Sequence, residues 1–125
     1  MSVRPRARPL LLLAGMLASA VAVAQPVLLS KDEFLREIVG KSMYVASTAN
    51  SQNFLLELQD GGKAIVSRSY NDIGTWRMAD DTGGYCVTWN KLAPAERCNK
   101  MARRDGKLVA MDAAGKEVTA TVEVR

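Results

Sequence analysis

Few side chains of this chain are suited to catalysis, because the sequence contains no histidine. Histidine is the most frequent general base and a common zinc ligand, so its absence excludes His-containing hydrolytic triads and most zinc sites. No serine lies in a Ser-x-x-Lys or Gly-x-Ser-x-Gly frame, the contexts of other nucleophilic serines. The sequence therefore predicts a protein that is not an enzyme, with a His-free hydrolase as the minor alternative.

Aspartates are the other side chains that could supply acid–base chemistry or bind calcium. Asp80 and Asp81 are adjacent, and Asp60 and Asp72 lie in other segments rich in turn-forming residues. Aspartates in such segments usually start turns, and residues 80–84 lack the downstream glutamate of a calcium loop. We therefore predict turn positions here, with no catalytic residue, no metal site and no cofactor.

The first 24 residues have the pattern of an export signal. Three arginines form its positive beginning: Arg4, Arg6 and Arg8. An apolar run follows over residues 10–24, and its 15 residues are fewer than the roughly 20 that a membrane-spanning helix needs. Small residues at 22–24, or in second place at 18–20, suit cleavage. We predict a signal peptide over residues 1–24 and a single small β-domain over residues 25–125.

Export determines how the two cysteines are interpreted. We expect the protein in the periplasm of a Gram-negative bacterium or secreted from it, with no transmembrane segment in the mature form. Because such compartments are oxidising, Cys86 and Cys98 are predicted to form one disulfide. A metal pair and a redox dithiol are the alternatives. The lack of histidine and of further cysteines argues against the first, and the lack of Cys-x-x-Cys spacing against the second.

The positive net charge of the chain comes mostly from the predicted signal peptide. The whole sequence has 17 basic and 13 acidic residues, but the mature domain has only 14 and 13, because three arginines belong to the predicted signal. A nearly neutral exported domain predicts no nucleic-acid partner.

The remaining basic residues cluster near the end of the chain. Five of them form a candidate patch for an anionic partner: Arg97, Lys100, Arg103, Arg104 and Lys107. Such a partner would be an anionic envelope component or an acidic protein surface. The alternative is an edge strand that uses charge to resist aggregation.

One helix is predicted near the start of the mature domain. Ser30 and Glu33 have the Ser-x-x-Glu spacing of a capping box. Apolar residues at helical spacing follow, and Gly40 stands where a left-handed residue ends a helix. The pattern predicts a helix over residues 31–39 with one apolar face.

Short strands separated by turn residues fill the rest of the domain. The predicted strands are 42–48, 54–59, 64–70, 74–78, 85–90, 97–103, 107–112 and 117–124. The last of them alternates most regularly and places on one face Val118, Ala120, Val122 and Val124. The predicted fold class is mainly β, a small antiparallel meander or up-and-down barrel-like sheet of about seven to eight strands with one N-terminal helix.

The interior of such a barrel is expected to be largely filled. Trp76 and Trp89 have apolar neighbours two residues away and are predicted to be core anchors. Side chains of so short a domain should fill most of the interior, although eight-stranded barrels sometimes hold a small ligand.

The order of these residues carries a resemblance. Gly-Thr-Trp at residues 74–76, Cys-Val-Thr-Trp at 86–89 and a second cysteine at 98 resemble a family of small secreted bacterial proteins of unknown function. The likeness covers nearly all of the mature domain. It implies an exported disulfide-bonded β-domain, and it implies no reaction and no catalytic residue.

These features together predict a non-catalytic binding module for a cell-envelope component or an envelope protein. The first alternative is a calycin-like carrier of a small hydrophobic ligand. An enclosed apolar cavity would favour the carrier, whereas a basic surface joined to exposed aromatics would favour the module.

Overall fold

The computed structural model describes residues 24–92 and 95–125. Within them lie one helix and nine strands: β1 (Val27–Leu28), α1 (Lys31–Glu37), β2 (Ser42–Ser47), β3 (Asn53–Leu58), β4 (Lys63–Arg68), β5 (Asp72–Met78), β6 (Gly84–Trp89), β7 (Arg97–Arg104), β8 (Lys107–Met111) and β9 (Val118–Val124). The predicted signal peptide at residues 1–24 lies, but for its last residue, outside the described residues.

Strands β2 to β9 form a closed antiparallel barrel in chain order. Each pairs with the next, and β9 returns to pair with β2, for example Val45 with Val122. The mainly β, up-and-down architecture is thus confirmed, and each of the eight predicted strands is present. One further strand, β1, was not predicted. Because β1 precedes α1, the helix is not the first element of the described domain.

Strand β7 has partners on both sides over part of its length. On one side its first half pairs with β6 and its second half with β1. On the other side β8 pairs with Lys100–Arg104, so Arg97–Asn99 pair with β6 alone. Gly84, the first residue of β6, stands opposite Lys100, and two residues further along β7 Leu28 of β1 stands opposite Ala102. The interpretation of the basic segment as an edge strand is therefore wrong from Lys100 to Arg103, where β7 has a neighbour on each side because β1 continues the pairing of β6.

Helix α1 begins as the sequence predicts. The Ser30 hydroxyl accepts from the Glu33 amide, and the Glu33 carboxylate accepts from the Ser30 amide, both at 3.2 Å. The helix ends at Glu37, two residues before the predicted end, and Gly40 has the expected positive φ of 81°. No helix in the described part of the chain is long and apolar enough to cross a membrane.

The helix closes one end of the barrel. Phe34 and Ile38 are fully buried and belong to the same apolar cluster as Leu58 and Met101 of the barrel wall. The Phe34 ring lies 5.4 Å from the ring of Tyr85, centroid to centroid. Large side chains thus fill the interior at this end.

A second, smaller core lies outside the barrel. Ala102, Val109 and Met111 are buried there, with Leu28 and Val118 packed against them. Ala102 follows the inward-facing Met101, so it faces outward, and β1 supplies its cover.

The predicted alternation of β9 fails at its first residue. Ala110 pairs with Ala120, but the next residue, Met111, pairs with Val118, which leaves Thr119 as an extra residue. This bulge turns Val118 to the outer core, whereas Ala120, Val122 and Val124 keep the predicted inward face.

Candidate functional site

The end of the barrel away from α1 holds an open cavity of about 480 Å³. Its lining residues are Phe54, Leu56, Val66, Tyr70, Tyr85, Val87, Trp89, Leu92, Arg97 and Asn99. A second space of about 170 Å³ shares Phe54, Leu56, Tyr85 and Asn99 with it. Ligand pockets span roughly 300 to 1,000 Å³, so the cavity suits a small molecule. The expectation that side chains fill most of the interior is wrong for this half.

Aromatic side chains form much of the mouth. Phe54 and Tyr70 meet edge to face with their centroids 5.7 Å apart, and the Tyr70 hydroxyl donates to the Gln52 side chain. Trp89, at the end of β6, is half-buried and packs against the main core. Trp89 is thus a core residue, as predicted, and part of the cavity wall as well. Trp76, the other tryptophan, packs at the helix end, where its ring lies 6.0 Å from that of Phe34.

A buried carboxylate positions the loop that follows β6. Asp72 accepts hydrogen bonds from the amides of Ile73 (2.8 Å), Lys91 (2.7 Å) and Leu92 (2.8 Å). These contacts hold Leu92 at the mouth of the cavity. The sequence analysis placed Asp72 in a turn. Its hydrogen bonds to residues 19 and 20 positions away were missed, because every residue except proline carries a backbone N–H.

The three amides also set the charge state of Asp72. Burial, the largest effect, raises the pKa of this carboxyl, but the amides of Leu92, Lys91 and Ile73 together lower it below its usual value of 3.8. The carboxylate therefore stays ionised at neutral pH.

Polar atoms enter the cavity from one stretch of wall. Arg97 stands opposite Val87, and Asn99 stands opposite Tyr85, in the register of β6 and β7. Burial raises the pKa of Tyr85 to about 12, although its hydrogen bond with the Asn99 side chain offsets part of that rise. The Tyr85 hydroxyl thus stays neutral, and Arg97 is the one charged side chain among the described residues that line the cavity.

The structure does not gather the five basic residues of the candidate patch. Lys100 pairs with Asp80 at 3.1 Å, and Arg103 pairs with Glu37 of α1 at 2.6 Å. Arg97 and Arg103 lie six residues apart on β7, about 20 Å along an extended strand.

The other two basic residues lie at the far end of β7. Arg104 and Lys107 stand opposite each other at the hairpin between β7 and β8. They are therefore separated from Arg97, the one basic residue at the cavity. The anionic partner itself stays a prediction.

The predicted disulfide is confirmed. Cys86 and Cys98 are bonded and directly opposite each other on β6 and β7, on the outer face. Glu96 lies 4.0 Å from the Cys98 sulfur and pairs with Arg77 at 2.7 Å. The two sulfurs and the Glu96 carboxylate are close enough to resemble a metal-ligand group, but the disulfide occupies both sulfurs.

Asp80, one of the predicted turn aspartates, stabilises its own turn through backbone hydrogen bonds. Asp80 accepts from the Thr82 amide at 2.8 Å and from the Gly84 amide at 3.1 Å. The Thr82 amide, followed by Lys100, holds the pKa of Asp80 far below its usual range. Asp60 and Asp81 are exposed, and no aspartate lines the cavity in the described part of the chain.

The motif residues behind the resemblance act mostly on the fold. A Cβ on Gly74 would come within 2.2 Å of the Thr88 carbonyl oxygen, so only glycine fits there. The Trp76 indole donates to the Gln59 carbonyl at 2.7 Å. Val87 and Trp89 of these motifs, and the adjoining Tyr85 and Arg97, line the cavity.

The chain matches no family model, no curated protein and no solved structure. The resemblance to small secreted proteins therefore rests on the motif residues alone. Any functional argument depends on the geometry of the barrel and its cavity.

Proposed function

We propose that this protein is a non-catalytic carrier that binds a small apolar ligand in the open half of its barrel. The observation that carries the proposal is the cavity of about 480 Å³, open at one end and backed by the core that α1 closes. This is the calycin-like alternative of the sequence analysis.

The lining of the cavity supports an apolar ligand. Leu56, Val66 and Val87 offer aliphatic surface, and Phe54 and Trp89 add aromatic surface. A bound ligand would remove these side chains from water, a gain of roughly 25 cal/mol per Å². A ligand of roughly ten non-hydrogen atoms, at about 0.6 kcal/mol each, would bind with a dissociation constant of tens of micromolar.

The carboxylates give no support to the hydrolase alternative. A carboxylic acid that donates a proton at neutral pH needs a raised pKa. Here the pKa values of Asp72 and Asp80 are lowered by backbone amides and that of Glu96 by Arg77. None of these three side chains lines the cavity.

The disulfide supports a site of action outside the cytoplasm, in the periplasm or the medium.

The alternative function, recognition of an anionic envelope component by the basic patch, has less support. Its five residues are divided between the cavity rim, two ion pairs and a hairpin.

The test uses Trp89 as a reporter inside the cavity. In a Trp76→Phe variant, Trp89 is the one tryptophan left, and titration with a neutral probe such as N-phenyl-1-naphthylamine should change its fluorescence saturably. Val66→Phe should fill the cavity and lower the affinity at least tenfold. Ile65→Phe is the matched control, because the neighbouring residue faces the other side of β4 and should leave the affinity unchanged. A carrier is excluded if no neutral apolar probe binds, or if both variants behave alike.

A further inference from the structure

We propose that the ligand is a single-chain amphiphile with one anionic head group, and that Arg97 binds the head while the chain enters the cavity. This inference rests on the proposed function. It specifies the chemical class of the ligand and its orientation.

The charge of the cavity wall is the first step. Arg97 lines the cavity, and none of the other lining residues in the described part of the chain is charged. The neighbouring residues at 93 and 94 are alanine and proline, which carry no charge either. The wall therefore has one cation and no carboxylate to neutralise it.

The contacts of Arg97 are the second step. Among the described residues, no acidic side chain lies within ion-pair distance of its guanidinium. Glu96, the acid next to it in sequence, pairs instead with Arg77 on the outer face. Lys100 and Arg103, on the same strand, each have an acidic partner. An arginine without a partner offers two parallel N–H donors to a carboxylate or a phosphate.

The position of Arg97 gives the orientation. It is exposed, as the first residue of β7, whereas Leu56, Val66 and Val87 are buried. The head group can thus keep part of its hydration at the rim while the chain contacts the aliphatic wall. Tyr85 is buried and Asn99 half-buried, and neither side chain carries a positive charge, so these inner polar groups have less to offer an anion.

The volume limits the length of the chain. At about 30 Å³ for each water-sized group, a space of about 480 Å³ holds on the order of fifteen such groups when filled completely. A saturated chain of roughly ten carbons would fill most of it.

The experiment compares ligands that differ only in the head group. Decan-1-ol, decanoate and decyl phosphate are each titrated against the neutral probe bound to the oxidised protein. The wild-type protein should bind the two anions at least tenfold more tightly than the alcohol. The stronger of the two anions indicates whether the natural head group is a carboxylate or a phosphate, and preference for either supports the proposal.

Substitution of the arginine is the second arm. Arg97→Met should remove the preference for the anions and leave the affinity for decan-1-ol within about twofold. Arg97→Lys should keep part of the preference. Arg104→Met is the matched control, because Arg104 lies on the same strand but on the outer face, and it should keep the full preference.

The outcomes separate this proposal from the one on which it rests. If the alcohol binds as tightly as the anions, or if Arg97→Met keeps the preference, the anionic ligand is wrong while the apolar carrier stands. If none of the three ligands displaces the probe and no probe binds, both proposals fail.

Discussion

The two ends of the barrel are built from the same eight strands but differ in what occupies them. At the closed end, Phe34 and Ile38 of α1 are fully buried among Leu58 and Met101. At the open end no second helix of residues 24–92 and 95–125 enters, and half-buried aromatic side chains surround a cavity instead. Inward-facing apolar residues continue to both ends, so in the described part of the chain the cavity lies at the end that no helix closes.

The two ends are also held in different ways. At the closed end, Glu37 of α1 pairs with Arg103 of β7, and the Lys31 amide donates to the Asp81 carbonyl. At the open end, the single carboxylate of Asp72 holds the loop after β6 through backbone amides. The closed end therefore depends on side-chain packing, and the open end depends on one anchored loop. This comparison predicts that stability and ligand binding respond to different substitutions.

The largest effect should follow loss of the Phe34 side chain, the plug of the closed end. Phe34→Ala removes the largest fully buried side chain, which contacts Trp76 and Tyr85. Such truncations cost about 3 to 5 kcal/mol, which a small domain can barely tolerate. Chemical denaturation of the oxidised protein measures this loss.

The control for the plug lies next to it on the helix. Leu35 is 43% exposed, so Leu35→Ala should change the free energy of unfolding by about 0.5 kcal/mol or less. Equal losses from the two substitutions would show that α1 does not close the barrel as described.

The disulfide should have the second largest effect. It closes a loop of about 13 residues, and the chain-entropy model assigns such a loop roughly 3 kcal/mol. Replacing both Cys86 and Cys98 with alanine should lower the free energy of unfolding by about this amount. Reductant should destabilise the wild-type protein similarly and leave the double variant unchanged. A response of the double variant to reductant would contradict this account.

Much of the closed end could be predicted from the sequence. The capping box of Ser30 and Glu33 and the left-handed Gly40 each have a local pattern that admits few structures. The disulfide, which joins β6 to β7 beside the cavity, was predicted from two cysteines in an exported domain. Short segments rich in β-branched and aromatic residues likewise predicted the eight barrel strands, and alternation predicted the inward face of β9 from Ala120 to Val124.

The open end could not be predicted in the same way. Alternation shows which side chains face inward but not the volume they leave empty, so the cavity was missed. The bulge at Thr119 is defined by its partner strand. Strand β1, beside the closed end, was also missed, because its two residues are too few for a period. Asp72 binds backbone amides, which have no sequence signature. Arg97 was identified as basic, but only the register of β7 showed that it lines the cavity.

A pH series that compares the wild-type protein with an Asp72 variant should test the anchored loop of the open end. Because the pKa of Asp72 is lowered in the folded state, its contribution to stability is present above pH 3.8 and is lost as the pH falls through the lowered value. Asp72→Asn should reduce this acid sensitivity and weaken ligand binding at pH 7. It should lower the free energy of unfolding by less than removal of the disulfide does. Thermal melts and probe titrations at a series of pH values from about 2.5 to about 7 measure both quantities. Asp60→Asn, at an exposed turn, is the control and should change neither quantity.

The smallest effect is expected from the ion pair that holds α1 to β7. Glu37 and Arg103 lie 2.6 Å apart, but about a third of each side chain is exposed, so their attraction is screened by water. Pairs of this kind contribute about 0 to 1 kcal/mol, far less than the packing of Phe34. Glu37→Gln should therefore lower the free energy of unfolding by at most about 1 kcal/mol, less so in high salt, and leave ligand affinity unchanged. Denaturation at low and high salt tests this. A loss as large as that of Phe34→Ala would mean that the ion pair, and not the plug, keeps this end of the barrel closed.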